Sequence, residues 1–325
     1  MDIEYFLRFY TTKGVGEKTI KKVINYLDQY PEMSWQKICM DKHILVNELH
    51  LKNEIADKII NSAVDESDNM IDKIRKNNIE IILENDKRYP AILKTKLKSD
   101  CPAVLFACGN LNLLGKKSVG FCGSRKASAK GITIAEECAQ QFAKENIVVT
   151  SGYAAGVDIS AHSAALQNGG STIFVLAEGI LSYRVKKELH GLLNDKNYLF
   201  LSQFSPEMIW NAGNAMKRNS LIIGLSEAMI LIESGKKGGT FAAGQEALNI
   251  GCPLFVVDYD KPEVSAEANP YFIANGGRPI RKKAGKPNLE VVLEKIFTAT
   301  DKNEEHMKQE PISTKIFAQQ TLALG

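Results

Sequence analysis

The chain has 325 residues, 44% of them hydrophobic and 24% charged, with a formal net charge of +3. That composition suits a soluble globular protein with one large core and a smaller unit beside it, and excludes a disordered or collagen-like chain; the small net charge says little about partners. No apolar run reaches ~18 residues, so nothing reads as a membrane span, and the start MDIEYFLRFY, acidic ahead of a short apolar run, is not a secretory signal. The six cysteines form no CxxC pair and the five histidines are scattered. They read as core thiols of a reducing compartment and as no metal site, so the expected location is the cytoplasm.

Residues 1–75 read as a helical domain. Ile3, Phe6, Leu7 and Tyr10 form a first stripe, and the turn Lys13-Gly14-Val15-Gly16 stands directly before a second helical pattern that begins near Lys18. A Gly-x-Gly turn among lysines resembles a helix-hairpin-helix, whose amides contact a DNA backbone; a plain helix–helix turn with a solvated lysine face accounts for it equally well. Leu45 to Ala63 continues the helical pattern, whereas Ile79 to Asp86 and Val104 to Ala107 read as strands. Residues 76–115 make too small a core to stand alone and are read as an extension of the large unit.

From Ser118 the chain alternates. Apolar runs begin at 118, 147, 171, 198, 228 and 254, and most are separated by helical patterns, including one expected over Ser182 to Leu193. The order closes as an α/β fold, a Rossmann-like, mostly parallel sheet with flanking helices, preceded by the small helical domain. This domain spans 76–297. Residues 298–325 form a polar tail whose apolar positions in ISTKIFAQQTLAL suit a docked helix.

Loops that follow such strands open on one edge and bind ligands there. After the first run come Gly123, Ser124, Arg125 and Lys126; after the second Gly152, Tyr153 and Gly156, with Asp158 placed to cap the next helix; later Asn214, Lys217, Arg218 and Asn219, then Lys237, Gly238, Gly239 and Thr240. Glycines let the backbone approach an anion, Arg125 offers a two-pronged donor to phosphate, and the start of the following helix behind Ser128 adds free amides. Tyr153 and Trp210 are candidate aromatic platforms, each with the alternative of a buried anchor, the more so for Trp210. The spacing of Gly120, Gly123 and Gly131 is not the GxGxxG dinucleotide fingerprint, which weakens a hydride-transfer reading.

The series DKRYPAILK, CPAVLFACGN, VGFCGSRKAS, VVTSGYAAGVDISAH and MKRNSLIIGLSEAMILIESGKKGGTFAAGQEAL resembles the DNA-processing protein A (Smf) family over residues 76–280. The resemblance implies a Rossmann-like domain that binds single-stranded DNA, dimerises, and helps load the RecA recombinase in natural transformation, with no cofactor and no catalysis. It places DNA on Gly123, Ser124, Arg125, Lys126, Arg218 and Asn219. The chain resembles a divergent member: Ala155 stands at a position usually basic or polar, and Ser220 where a second arginine is usual.

Two other classes compete. Gly238-Gly239-Thr240 followed by Glu246 distantly resembles the signature of phosphoribohydrolase-like enzymes, with the glutamate at the wrong spacing; Asp158 and Glu233 are further candidate acids. The third class is a nucleotide-sensing signalling protein, which needs a closed pocket where a strand binder needs an open basic groove.

Overall fold

The computed structural model describes residues 2–61 and 64–298. Its helical start comprises α1 (Ile3–Thr11), α2 (Glu17–Gln29), α3 (Trp35–Met40), α4 (Asn53–Asn61) and α5 (Val64–Lys76). Then come β1 (Glu80–Leu83), α6 (Ala91–Leu97), β2 (Val104–Gly109) and β3 (Ser118–Cys122). The alternating part continues with α7 (Ala129–Lys144), β4 (Val148–Ser151), α8 (Val157–Gln167), β5 (Thr172–Val175), β6 (Tyr198–Ser202), α9 (Ala212–Leu225) and β7 (Ala228–Leu231). It closes with α10 (Gly239–Ile250), β8 (Leu254–Val257), α11 (Asn269–Ala274), β9 (Arg278–Ile280) and a last helix, α12, over 290–298. The tail expectation for 299–325 lies outside the described residues.

Nine strands form one sheet in the order β1-β2-β6-β5-β4-β3-β7-β8-β9. From β6 to β9 every pairing is parallel, with Val119 opposite Val149 and Phe121 opposite Ile230, so the expected neighbours β3 and β4 lie side by side. β1 and β2 join antiparallel at the β6 edge. The fold is therefore α/β, with a mixed, mostly parallel sheet between helices and a helical region ahead of it.

Period-two alternation decides which face each strand residue serves. Ile81, Phe106, Phe174 and Phe200 face α1 and the neighbouring helices, while Ile82, Leu105, Ile173 and Leu199 face the layer containing α6 and α9. Each fully buried Phe contributes ~2–3 kcal/mol. Farther along, α7 and α8 cover Val119, Phe121 and Val149. The helical start is fixed on the sheet by the Tyr10 ring, edge-on to Phe106 at 5.5 Å, and by Lys21 Nζ, which donates to the Ser99 carbonyl at 2.6 Å.

The helix expected over Ser182 to Leu193 does not form; only the short 3-10 turn Lys187–Leu189 is helical there. The cause lies in another loop. The Tyr153 hydroxyl donates to the Arg184 carbonyl at 3.0 Å and accepts from the Lys186 amide at 2.9 Å, taking two backbone groups that a helix needs. The continuous helical pattern expected from Leu45 is likewise broken, into a π-turn at Ile44–Glu48 and α4. No described helix is long and apolar enough to cross a membrane.

Candidate functional site

After β6 the chain returns to the far side of β3, so the direction of winding reverses between β3 and β7. Loops leaving two such strands diverge and leave a crevice at their carboxyl ends. A cavity of about 440 Å³ occurs there, walled by Gly123 to Arg125 after β3, by Gly235 and Lys237 after β7, and by one side of α9.

Arg218 forms its floor. α9 places it inward, and at 7% exposure its guanidinium is almost wholly removed from water. Its Nε has no hydrogen-bond partner, and the nearby carboxylates of Asp158 and Glu178 act on it through their charge without a hydrogen bond. Gly152 makes this placement possible, because a methyl group at that position would overlap Arg218 Nη1 and Asp158 Oδ2. Burial pushes the Arg218 pKa down, opposed by the nearby charge of Asp158.

Asp158 does not cap α8 as expected; Gly156 holds the cap position. The carboxylate instead turns back into the second loop, accepting from the Ser151 hydroxyl at 2.8 Å and from the Ala154 amide at 3.2 Å. Burial raises its pKa, and the Arg218 charge opposes that rise. Beneath the same loop, His162 Nε2 donates to the Gly152 carbonyl at 2.8 Å and Nδ1 meets the Thr172 hydroxyl, which itself donates to the Val149 carbonyl at 2.7 Å. Gly156 has φ +79° and brings the second loop against the carbonyls of Ser124 and Arg125, where a side chain has no room.

The helix starts differ in what they leave free. α7, expected to offer amides to an anion, is closed from within: Glu233 accepts from the Ser128 amide at 2.8 Å and from the Ser128 hydroxyl at 2.5 Å, while Ser128 Oγ accepts from the Gly131 amide. The Ser124 amide is likewise taken up, donating to the Glu233 carbonyl at 3.0 Å. Asn211 caps α9. No side chain caps α10, whose first residues Gly239 and Thr240 line the cavity, and Asn219 Nδ2 holds that end in place through the Gly239 carbonyl at 3.3 Å.

Of the residues named from sequence, Gly123, Ser124, Arg125, Arg218, Asn219, Lys237, Gly239 and Thr240 line this one cavity. Gly238, the exposed cap residue of α10, adjoins it. Gly152 and Gly156 shape its wall from behind. Lys126 lies beside it with Ser124 in a shallow depression. Asn214 and Lys217 are on the outer part of α9, where Lys217 Nζ pairs with Glu17 at 3.0 Å. Tyr153 is an internal anchor, with its ring edge-on to Phe174 and Phe200 at 5.5 and 5.7 Å. Trp210 reverses the expectation of burial: it is 49% exposed, lines the cavity, and lies beneath the Arg125 guanidinium at 5.5 Å.

The turn around Gly14 and Gly16 is elsewhere. Gly14 takes φ +105°, Gly16 is the cap residue ahead of α2, and Lys13 and Lys18 are exposed. Gly16 and Glu17 border a second depression of about 260 Å³ that reaches Phe204 and Lys217. Sequence reasoning passed over His162 and undervalued Glu233; the only signal was a polar residue in each apolar stretch.

Comparison with known proteins agrees with this architecture. The DNA processing protein DprA of Bacillus subtilis is 33% identical over 187 residues, covering 56% of this chain and 62% of that protein. The DprA of Streptococcus pneumoniae is 34% identical over 160 residues, covering 49% and 56%. The chain thus spans about three fifths of the length of these relatives. The X-ray structure of the S. pneumoniae protein superposes with a TM-score of 0.72 at 24% identity, over 85% of this chain and 94% of that one. The DprA of Helicobacter pylori, whose structure is described for its single-stranded DNA binding mode, superposes at 0.54 and 24%, over 69% and 96%. The profile of the DNA recombination-mediator protein A family matches residues 80–286, the stretch that runs from β1 through the cavity-forming loops to the end of the sheet, and the chain belongs to that family.

Proposed function

We propose that this protein binds single-stranded DNA across the carboxyl edge of its sheet. One observation carries the reading: Arg125, Arg218 and Lys237, from three separate segments, surround one cavity together with the exposed ring of Trp210. Cations neutralise phosphates irrespective of sequence, and an aromatic face at the rim accepts any base. The doubly wound strand order supports the Rossmann-like reading, and the relatives' names support a role in DNA processing. Lys126, Lys217 and Asn214 extend the basic surface along α9 and the first loop, and the Lys13–Lys18 turn is a second contact. A homodimer acting in the cytoplasm and handing its strand to the RecA recombinase completes the proposal, on family membership alone.

The enzyme reading finds less support. Asp158 and Glu233 are engaged in holding loops, and Glu246 accepts from the Ser220 hydroxyl. The test of strand binding is Arg125→Ala. It is expected to weaken binding to all oligonucleotide sequences and to reduce the slope of log K against log salt by about one, the loss of one phosphate contact. Anisotropy titrations at two salt concentrations measure both; an unchanged affinity and slope assign the Gly123–Arg125 turn a purely structural role.

A further inference from the structure

The floor of the cavity asks for more than a passing strand. Arg218 lines the cavity at 7% exposure with its Nε–H unpartnered, so its charge is desolvated with no ion pair to offset the cost, and an anion in the cavity would supply that compensation. The first turn of α10, which no side chain caps, lines the same cavity, so a helix start and a guanidinium border one small volume. The geometry points to a phosphate-monoester subsite on Arg218 and the first turn of α10, filled by the phosphorylated end of a DNA strand or by a free mononucleotide. This deepens, and rests on, the strand-binding reading of the same cavity.

Two arguments favour a monoester over a mid-strand diester. The first is steric. A cavity of about 440 Å³ holds one nucleotide, and a diester brought to its floor must carry two sugars down with it where a terminal phosphate carries one. The second is charge. Arg125, Arg218 and Lys237 line the cavity against the single carboxylate Asp158, which already accepts from Ser151 and Ala154. A monoester carries about −1.5 to −2 at neutral pH and matches that excess; a diester carries about −1. Trp210, at the mouth under Arg125, then receives the base or sugar attached to the seated phosphate.

The test uses the whole protein and internally labelled oligonucleotides of one sequence, with a terminal phosphate at the 5′ end, at the 3′ end, or at neither. One phosphorylated form is expected to bind about tenfold more tightly than the unphosphorylated strand, the size of one charged hydrogen bond. Millimolar inorganic phosphate should abolish that advantage. Arg218→Gln should erase the difference between ends, with a thermal melt to confirm folding; Lys237→Ala, at the exposed rim, should reduce it. Equal affinity for all three strands overturns the monoester site and leaves strand binding standing. If no strand binds, strand binding fails, and calorimetry with a nucleoside 5′-monophosphate decides the rest: one-to-one binding supports the monoester site, and no heat ends it.

Discussion

His162 is wholly buried, with hydrogen-bond partners at both ring nitrogens. Burial lowers its pKa to about 3. The folded state therefore refuses a proton that the unfolded chain takes up near the ordinary value, so stability present above about pH 6.5 is lost as pH falls toward 3. Between pH 7 and pH 5 the expected loss is about 2 kcal/mol. Urea titrations at the two pH values measure it, and His162→Gln should flatten the dependence; an unchanged slope in the variant places the titrating group elsewhere. At the same scale, the place of Arg125 in the cavity wall was legible, because a turn that follows a parallel strand opens at the carboxyl edge of the sheet. The burial of Arg218 was not, since a polar half-helix reads as a solvated face unless Gly152 is known to leave the space beneath it.

Which helix ends remain open is settled by single carboxylates and amides from remote segments. Glu233 stands 105 residues from Ser128, so no local pattern announces that it closes α7. Replacing it with alanine orphans the Ser128 amide and hydroxyl at the head of a 16-residue helix and is expected to cost about 2–3 kcal/mol. Chemical denaturation reads this directly, and a loss below about 0.5 kcal/mol would show that water replaces the carboxylate in full. The strands themselves were plain in the sequence, because buried parallel strands are short, nearly continuous apolar runs. The segment after β5 misled for the opposite reason: its apolar spacing suits a helix, but Tyr153 from another loop claims the backbone of Arg184 and Lys186. Nor did any pattern announce that β2 pairs antiparallel with β6, which places the extension at that edge of the sheet.

At the scale of the whole molecule, the helical start and the sheet share a hydrophobic cluster, and they also share a cation. Lys217 of α9 pairs with Glu17 in the first turn of α2. A polyanion that recruits Lys217 must compete with that glutamate, so occupancy and docking of the helical region are thermodynamically linked, each weakening the other by the same factor. The pair is 60% and 39% exposed at its two ends, which limits the coupling to about 1 kcal/mol. Glu17→Gln is accordingly expected to tighten oligonucleotide binding by up to about fivefold at low salt, an effect that fades as salt rises; anisotropy titrations decide it, and weaker binding by the variant would reverse the sign of the linkage. In the unaltered protein, amide hydrogen exchange at the start of α2 becomes a remote gauge of whether the outer face of α9 holds a strand.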